Sequence, residues 1–146
     1  MHQCPNYVIR HRFLHSFNID RANFEGMCLV TDGIGALGLE DGVYTLGQQT
    51  IKVTGLQAFV EGTNTLAGAI GTMWFAVKNL LDWSGCSLVH ALQAASLHPA
   101  QVLGLQKSKG TLNFGGDADF ILVHPQQLEI MSTWIAGNRV FKAANL

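Results

Sequence analysis

The sequence predicts an α/β fold that closes in a β-rich tail, and three observations predict it. An unbroken apolar run, Met27 to Val30, leads into Thr31 and Asp32 and then into glycines at positions 33, 35 and 38. Between residues 69 and 104, apolar side chains recur at helical spacing. From Gly110 onward, short apolar stretches alternate with turn residues. A strand that feeds helices and is followed by more strands is an α/β order, not a bundle or a sandwich.

Each element has its own signal. Residues 1–22 hold three of the six histidines, and with Arg10, Arg12 and Arg21 three of the basic residues. They show no clear period, although Val8, Ile9, Phe13, Leu14 and Phe17 could line one helix face. This stretch reads as a leader of uncertain structure. The run ending at Asp32 suits a strand buried on both faces, as in a parallel sheet. Its glycines mark a loop that bends tightly or approaches something closely. Three short segments, 43–46, 50–53 and 56–60, are separated by Gly47-Gln48-Gln49 and Thr54-Gly55 and read as an antiparallel meander.

Ile70, Met73, Trp74, Val77, Leu80 and Leu81 share one face of a helix over 69–82, with Gly85 as its stop. Ser87 can cap the next helix, whose inner face would be Leu88, Ala91, Leu92 and Ala95. Pro99 suits the first turn of a short helix ending near Gly104. Phe120 to Val123 reads as a buried strand and Leu128 to Ile135 as another, and Gly137-Asn138 reads as a hairpin turn before Arg139.

Composition narrows the function classes. Hydrophobic residues make up 48% of the chain and charged residues 13%, against roughly 25% charged in ordinary domains. A surface so poor in charge means either that the chain buries much of itself against a partner or that it is a piece of something larger, and the second reading is favoured. The length of 146 residues is too short for a complete eight-fold βα barrel of about 250. A net charge of −1 gives no electrostatic case for nucleic acid or an acidic membrane. Cys4, Cys28 and Cys86 show neither metal-type pairing nor a disulfide framework, so a reducing, cytoplasmic setting is expected. No apolar run approaches the ~20 residues of a membrane span.

Three segments together resemble a known family. They are Leu29 to Gly38 (LVTDGIGALG), Gly62 to Gly68 (GTNTLAG), and Ala94 to Leu105 (AASLHPAQVLGL) followed by Lys109-Gly110-Thr111-Leu112 and Gly115 to Phe120. The third resembles the C-terminal signature of the amidohydrolase superfamily. The first two look like N-acetylglucosamine-6-phosphate deacetylase, in an animal-type form, and the resemblance covers roughly residues 24–146.

The resemblance implies the C-terminal part of a metal-dependent hydrolase TIM barrel plus strands of its accessory small β-sandwich. Residues 23–109 would hold the last barrel strand, a β insertion and the C-terminal barrel helices, and 110–146 the sandwich strands. The implied activity is hydrolysis of N-acetylglucosamine 6-phosphate to glucosamine 6-phosphate and acetate. It implies a divalent metal, zinc by family habit, whose glutamate and two histidine ligands are absent from this chain. It also implies a homodimer for the full-length family. The family's Asp-Gly-x-His element, expected just before the LVTD strand, has no match in residues 1–22. The expectation is a truncated gene product or an incomplete gene model, inactive alone, with a non-catalytic interaction fragment or another amidohydrolase as the alternatives.

The resemblance assigns one catalytic residue, Asp32. Carboxylates at the C-terminal ends of barrel strands are where catalytic groups collect, and one beside a metal-bound water can act as acid and base. Taken without the resemblance, Asp32 reads first as a loop cap after a strand. Leu66, Ala67 and Gly68 match a substrate-contacting loop; without the resemblance they are a tight turn with a helix start at Gly68. No metal ligand is assigned. His11 and His15, four residues apart, lack a third partner. His90 and His98 lie in helical segments, His98 helping a helix start before Pro99, and His124 falls at the exposed end of a buried strand. Asp117 and Asp119 are turn chemistry, Lys107 and Lys109 do not make a phosphate site, and Trp74, Trp83 and Trp134 are packing residues.

Overall fold

The structure is a computed structural model that describes residues 7–9 and 26–144. Strand β1 (Tyr7–Ile9) pairs in parallel with β2 (Met27–Leu29), Tyr7 opposite Met27 and Ile9 opposite Leu29. Parallel pairing is what the apolar run in β2 predicts. Residues 8 and 9, which could have lined a helix, are instead in a strand. The histidine pair at 11 and 15 lies outside the described residues.

The meander forms as expected, with one strand more. β3 (Gly42–Leu46), β4 (Gln49–Thr54), β5 (Gln57–Val60) and β6 (Leu66–Ala69) lie side by side in chain order, every pairing antiparallel. Alternation along β4 turns Ile51 and Val53 inward and leaves Thr50, Lys52 and Thr54 on the outer face. Ile51, Val53, Ala58, Ala36 and Ile70 make one buried cluster.

The first helix differs from expectation at its start. It is α1 (Met73–Ser84), not 69–82. Residues 66–69 are held in the sheet by their ladder with β5, which overrides the helical spacing that Ile70 begins. The Thr72 hydroxyl accepts the Phe75 N–H at 3.1 Å and caps the helix there. At the other end Gly85 takes the left-handed conformation (φ 65°) and donates to the Leu81 carbonyl, as its position predicts. Ser87 caps α2 (Leu88–Ala95) by accepting the His90 N–H. The core face of α2 is Ala91 and Ala94, with Leu92 and Ala95 packed against the same cluster; of the predicted inner face only Leu88 is not in it, and Ala94 is added. Small side chains there let α2 approach β2 closely. Helix α3 (Leu97–Val102) carries Pro99 in its first turn.

These helices and β2 share the second core cluster, in which Met27 and Leu29 meet Val77, Leu80, Ala91 and Ala94. Val77 and Leu80 are essentially sealed from solvent, each contributing about 1.5–3 kcal/mol.

The tail is a three-stranded antiparallel sheet of β7 (Phe120–His124), β8 (Glu129–Ile135) and β9 (Asn138–Lys142) in chain order. Its β8–β9 turn falls on Ala136 and Gly137, both at positive φ, one residue earlier than predicted. The expectation of a buried β7 fails. Ile121 and Leu122 point to opposite faces and are 38% and 48% exposed, because among the described residues no second sheet stacks on this one. The described strands thus form three separate sheets, none closed into a barrel. Trp74 joins the helical layer to this sheet by donating its indole N–H to the Leu128 carbonyl at 2.9 Å. Trp134 stacks on Phe120 at 5.5 Å with the Arg139 guanidinium over its ring.

Candidate functional site

Strand β2 is apolar because Met27 and Leu29 pack against the helices, and it ends where the chain reaches the surface. Its last core residue, Leu29, is 3% exposed, and three residues on Asp32 is exposed. The Asp32 backbone sits at φ 45°. This left-handed region is strained for most residues and tolerated by Asp and Asn. Non-glycine residues held there cluster at sites of function.

The chain then docks on the meander. Gly33 forms a parallel bridge with Ala69, and the Ile34 N–H donates to the Ala69 carbonyl at 2.9 Å. A turn follows, in which the Leu37 N–H donates to the Ile34 carbonyl. Ala36 is fully buried beneath it.

Leu66, Ala67 and Gly68 lie in β6, immediately before Ala69. This corrects the reading of that stretch as a loop leading into a helix at Gly68. Leu66 is exposed, while Ala67 and Gly68 are half-buried. Gly68 faces Ile34 so closely that a side chain there has no room. The four residues singled out from the sequence therefore belong to two segments that the fold brings together. Gly33 and Ile34 join the Asp32 segment edge to edge with the strand that carries Leu66, Ala67 and Gly68.

The other ionisable groups do not converge on this place. Among the described residues, no three His, Cys, Asp or Glu side chains come together in a way that could hold a metal ion. Cys28 and Cys86 are free thiols, and burial pushes the Cys28 thiol up from its ordinary value. His124 lies at the end of β7, where its Nδ1 accepts the Gln127 N–H at 3.2 Å. Lys109 bridges Asp117 (2.9 Å) and Asp119. Asp119 also accepts the Ala136 N–H at 2.8 Å. Asp119 thus ties this loop to the β8–β9 turn, while Asp117 pairs with Lys109. A groove of about 490 Å³ opens on the outer face of the meander around Lys52, Gln57, Phe59 and Asn64. Neither Asp32 nor residues 66–68 line it.

One residue escaped the sequence reading. His98 is 7% exposed, and its Nδ1 lies 2.7 Å from the Met27 carbonyl, a contact between residues 71 apart that no local signal reveals.

Residues 17–140 match the profile of the amidohydrolase family. The span begins within residues 1–22 and takes in β2, the meander, all three helices and most of the tail. The chain belongs to the amidohydrolase family. It is 54% identical over 123 residues to the human N-acetylglucosamine-6-phosphate deacetylase, an alignment covering 84% of this chain and 30% of that protein. Its fold is similar to that of the N-acetylglucosamine-6-phosphate deacetylase from Thermotoga maritima (TM-score 0.72, 35% identity, 83% of this chain and 32% of that one). It is also similar to a mutant deacetylase from Mycobacterium smegmatis in complex with N-acetyl-D-glucosamine-6-phosphate (TM-score 0.70, 33% identity, 80% and 31%). The chain spans about 30% of the length of the curated relatives it matches.

Proposed function

We propose that this chain carries one edge of a deacetylase active site, in which Asp32 is the acid and base for hydrolysis of the acetamide of N-acetylglucosamine 6-phosphate. Water adds to the amide carbonyl and gives up a proton to the Asp32 carboxylate. The C–N bond then breaks, and the carboxylate returns the proton to the departing amine, so that acetate and glucosamine 6-phosphate leave. Leu66, Ala67 and Gly68 would border the sugar. The observation that carries the reading is the junction of the Asp32 segment with β6 through Gly33, Ile34 and Ala69. The exposed Asp32, on left-handed backbone, leads directly into that junction, and residues 66–68 on its other side are those that by resemblance match a substrate-contacting loop, which supports the reading.

The family's divalent ion, zinc by its habit, does not fit the described residues, since they gather no set of side chains able to hold it. A general base alone supplies about 10²–10⁴-fold, far short of the ~10⁶-fold or more typical of enzymes. The 146-residue chain is accordingly proposed to be inactive by itself. Acetate release from N-acetylglucosamine 6-phosphate, assayed with added zinc, should stay at the blank. The assignment of Asp32 is tested in a chimera in which this chain replaces the matching segment of the Thermotoga maritima relative. That chimera should release acetate, and Asp32→Asn should lower kcat by about 10²-fold or more. An undiminished kcat would remove Asp32 from the chemistry.

A second reading, a non-catalytic interaction fragment, draws on the apolar surface of the tail. Leu122, Val140 and Phe141 are about half exposed, and Phe114 is fully so. Apolar surface of this kind marks contact sites. Elution of the purified chain as a monomer that captures no full-length deacetylase would count against it.

A further inference from the structure

We propose that His98 is a positioning residue for Asp32, acting through the first residue of β2. The proposal builds on the role given to Asp32 above.

A carbonyl oxygen only accepts hydrogen bonds. A ring nitrogen 2.7 Å from the Met27 oxygen therefore carries a proton, so that the neutral imidazole in this contact is the Nδ1–H tautomer. The contact is buried, with His98 at 7% and Met27 at 3% exposure, and an unmade hydrogen bond in such a place is costly. The strand it holds is three residues long and has a single strand neighbour, β1, among the described residues. Among the described residues it is otherwise held by the packing of Met27 and Leu29 against the helices. Apolar packing sets depth well but sets position along the strand axis poorly, because it has no direction. The His98 hydrogen bond is directional and lies at the start of β2, and Asp32 leaves from its end. A slip of β2 along its axis would carry Asp32 away from the β6 junction, where Gly33 and Ile34 engage Ala69.

A histidine that merely fills the core would be replaceable by any side chain of similar bulk. The positioning role requires a donor attached at Cγ, and asparagine offers one in its Nδ2–H. Two measurements on the 146-residue chain decide the matter without any turnover. The first is the ¹⁵N spectrum of the His98 ring in the unaltered protein, where the Nδ1–H tautomer is expected and an Nε2–H tautomer overturns the proposal.

The second is hydrogen exchange at the Ile34 amide, which reports the docking of the Asp32 segment on β6. His98→Leu should accelerate that exchange about tenfold or more while the Ile51 and Val53 amides keep their protection, and His98→Asn should restore it. Equal exchange in the leucine variant and the unaltered chain, or an asparagine variant that behaves like leucine, overturns the proposal. If both variants fail to fold, the tautomer alone decides. Loss of kcat in the chimera speaks only to Asp32, so the two ideas fail separately.

Discussion

Gly68 and Ile34 touch across the junction of β6 with the Asp32 segment, so closely that a Cβ on Gly68 would lie 2.4 Å from the Ile34 Cγ2 methyl. Non-bonded carbons do not come that close, so Gly68→Ala must push the 32–36 turn off the sheet or leave Ile34 in a poor rotamer. Overpacking of this kind costs about 1–3 kcal/mol. Urea unfolding of Gly68→Ala should show a loss in that range. A second change, Ile34→Val, keeps Cγ2 and should not recover it, whereas Ile34→Ala should recover part. Full stability in Gly68→Ala would mean that the two segments are not joined as described.

Asp32 itself tests the backbone on which it sits. At φ 45°, asparagine is tolerated about as well as aspartate, while a β-branched residue is a steric outlier. Asp32→Val should therefore be less stable than Asp32→Asn by about 1–2 kcal/mol, seen as a Tm lower by several degrees. In the chimera both should lose kcat. Equal Tm values with unequal activities would place the strain elsewhere.

What the sequence made legible was local. The caps at Gly85 and Ser87 and the turns between β3, β4 and β5 are written in residues within four positions of where they act, whereas the equally local cap at Thr72 is passed over in the sequence reading for the apolar spacing that starts at Ile70. Hence most elements were placed to within a few residues. The candidate site was legible only as a set of motif residues. Nothing local says that residues 66–69 would be strand rather than turn, because that is decided by β5 and by Ala69 receiving Ile34. The same holds for His98, whose partner is 71 residues away, and for Trp74, read as packing, whose indole N–H reaches Leu128. Ile121 and Leu122 misled for the converse reason. Their apolar pattern calls for cover on both faces, and the described residues do not supply it.

The tie made by Lys109, Asp119 and Ala136 should weaken in acid. The Ala136 N–H, and after it Lys109, hold the Asp119 carboxyl below the usual carboxylate range. The same contacts, Asp119 ahead of Asp117, raise the Lys109 ammonium. A carboxyl lowered on folding stabilises the fold above its unfolded value, about 3.9 for aspartate, and that contribution fades as pH drops through the folded value. Carbon-13 titration of the Asp119 carboxyl should give a midpoint below the ordinary one. Lys109→Met should raise it only in part, since Ala136 still donates. A midpoint at or above the ordinary value would mean that the tie is absent in solution.

Gly110 offers a test in which strain and contact can be separated. Gly47 and Gly110 both have positive φ, 60° and 86°, so alanine at either costs about 1–2 kcal/mol in backbone strain. Around Gly47 a new Cβ meets nothing within 4 Å, whereas at Gly110 it would stand 2.8 Å from the Leu97 Cα and 3.0 Å from the Ser96 carbonyl oxygen. Those are main-chain atoms at the start of α3, and they cannot swing aside as a flexible side chain can. Gly110→Ala should therefore be less stable than Gly47→Ala by a further ~1–3 kcal/mol in urea unfolding. The element forced to move is the one that carries His98, so the Ile34 amide should also lose protection in Gly110→Ala and keep it in Gly47→Ala. Equal losses in the two variants would show that residue 110 does not rest against α3, and with it would go the route by which a change there reaches Asp32.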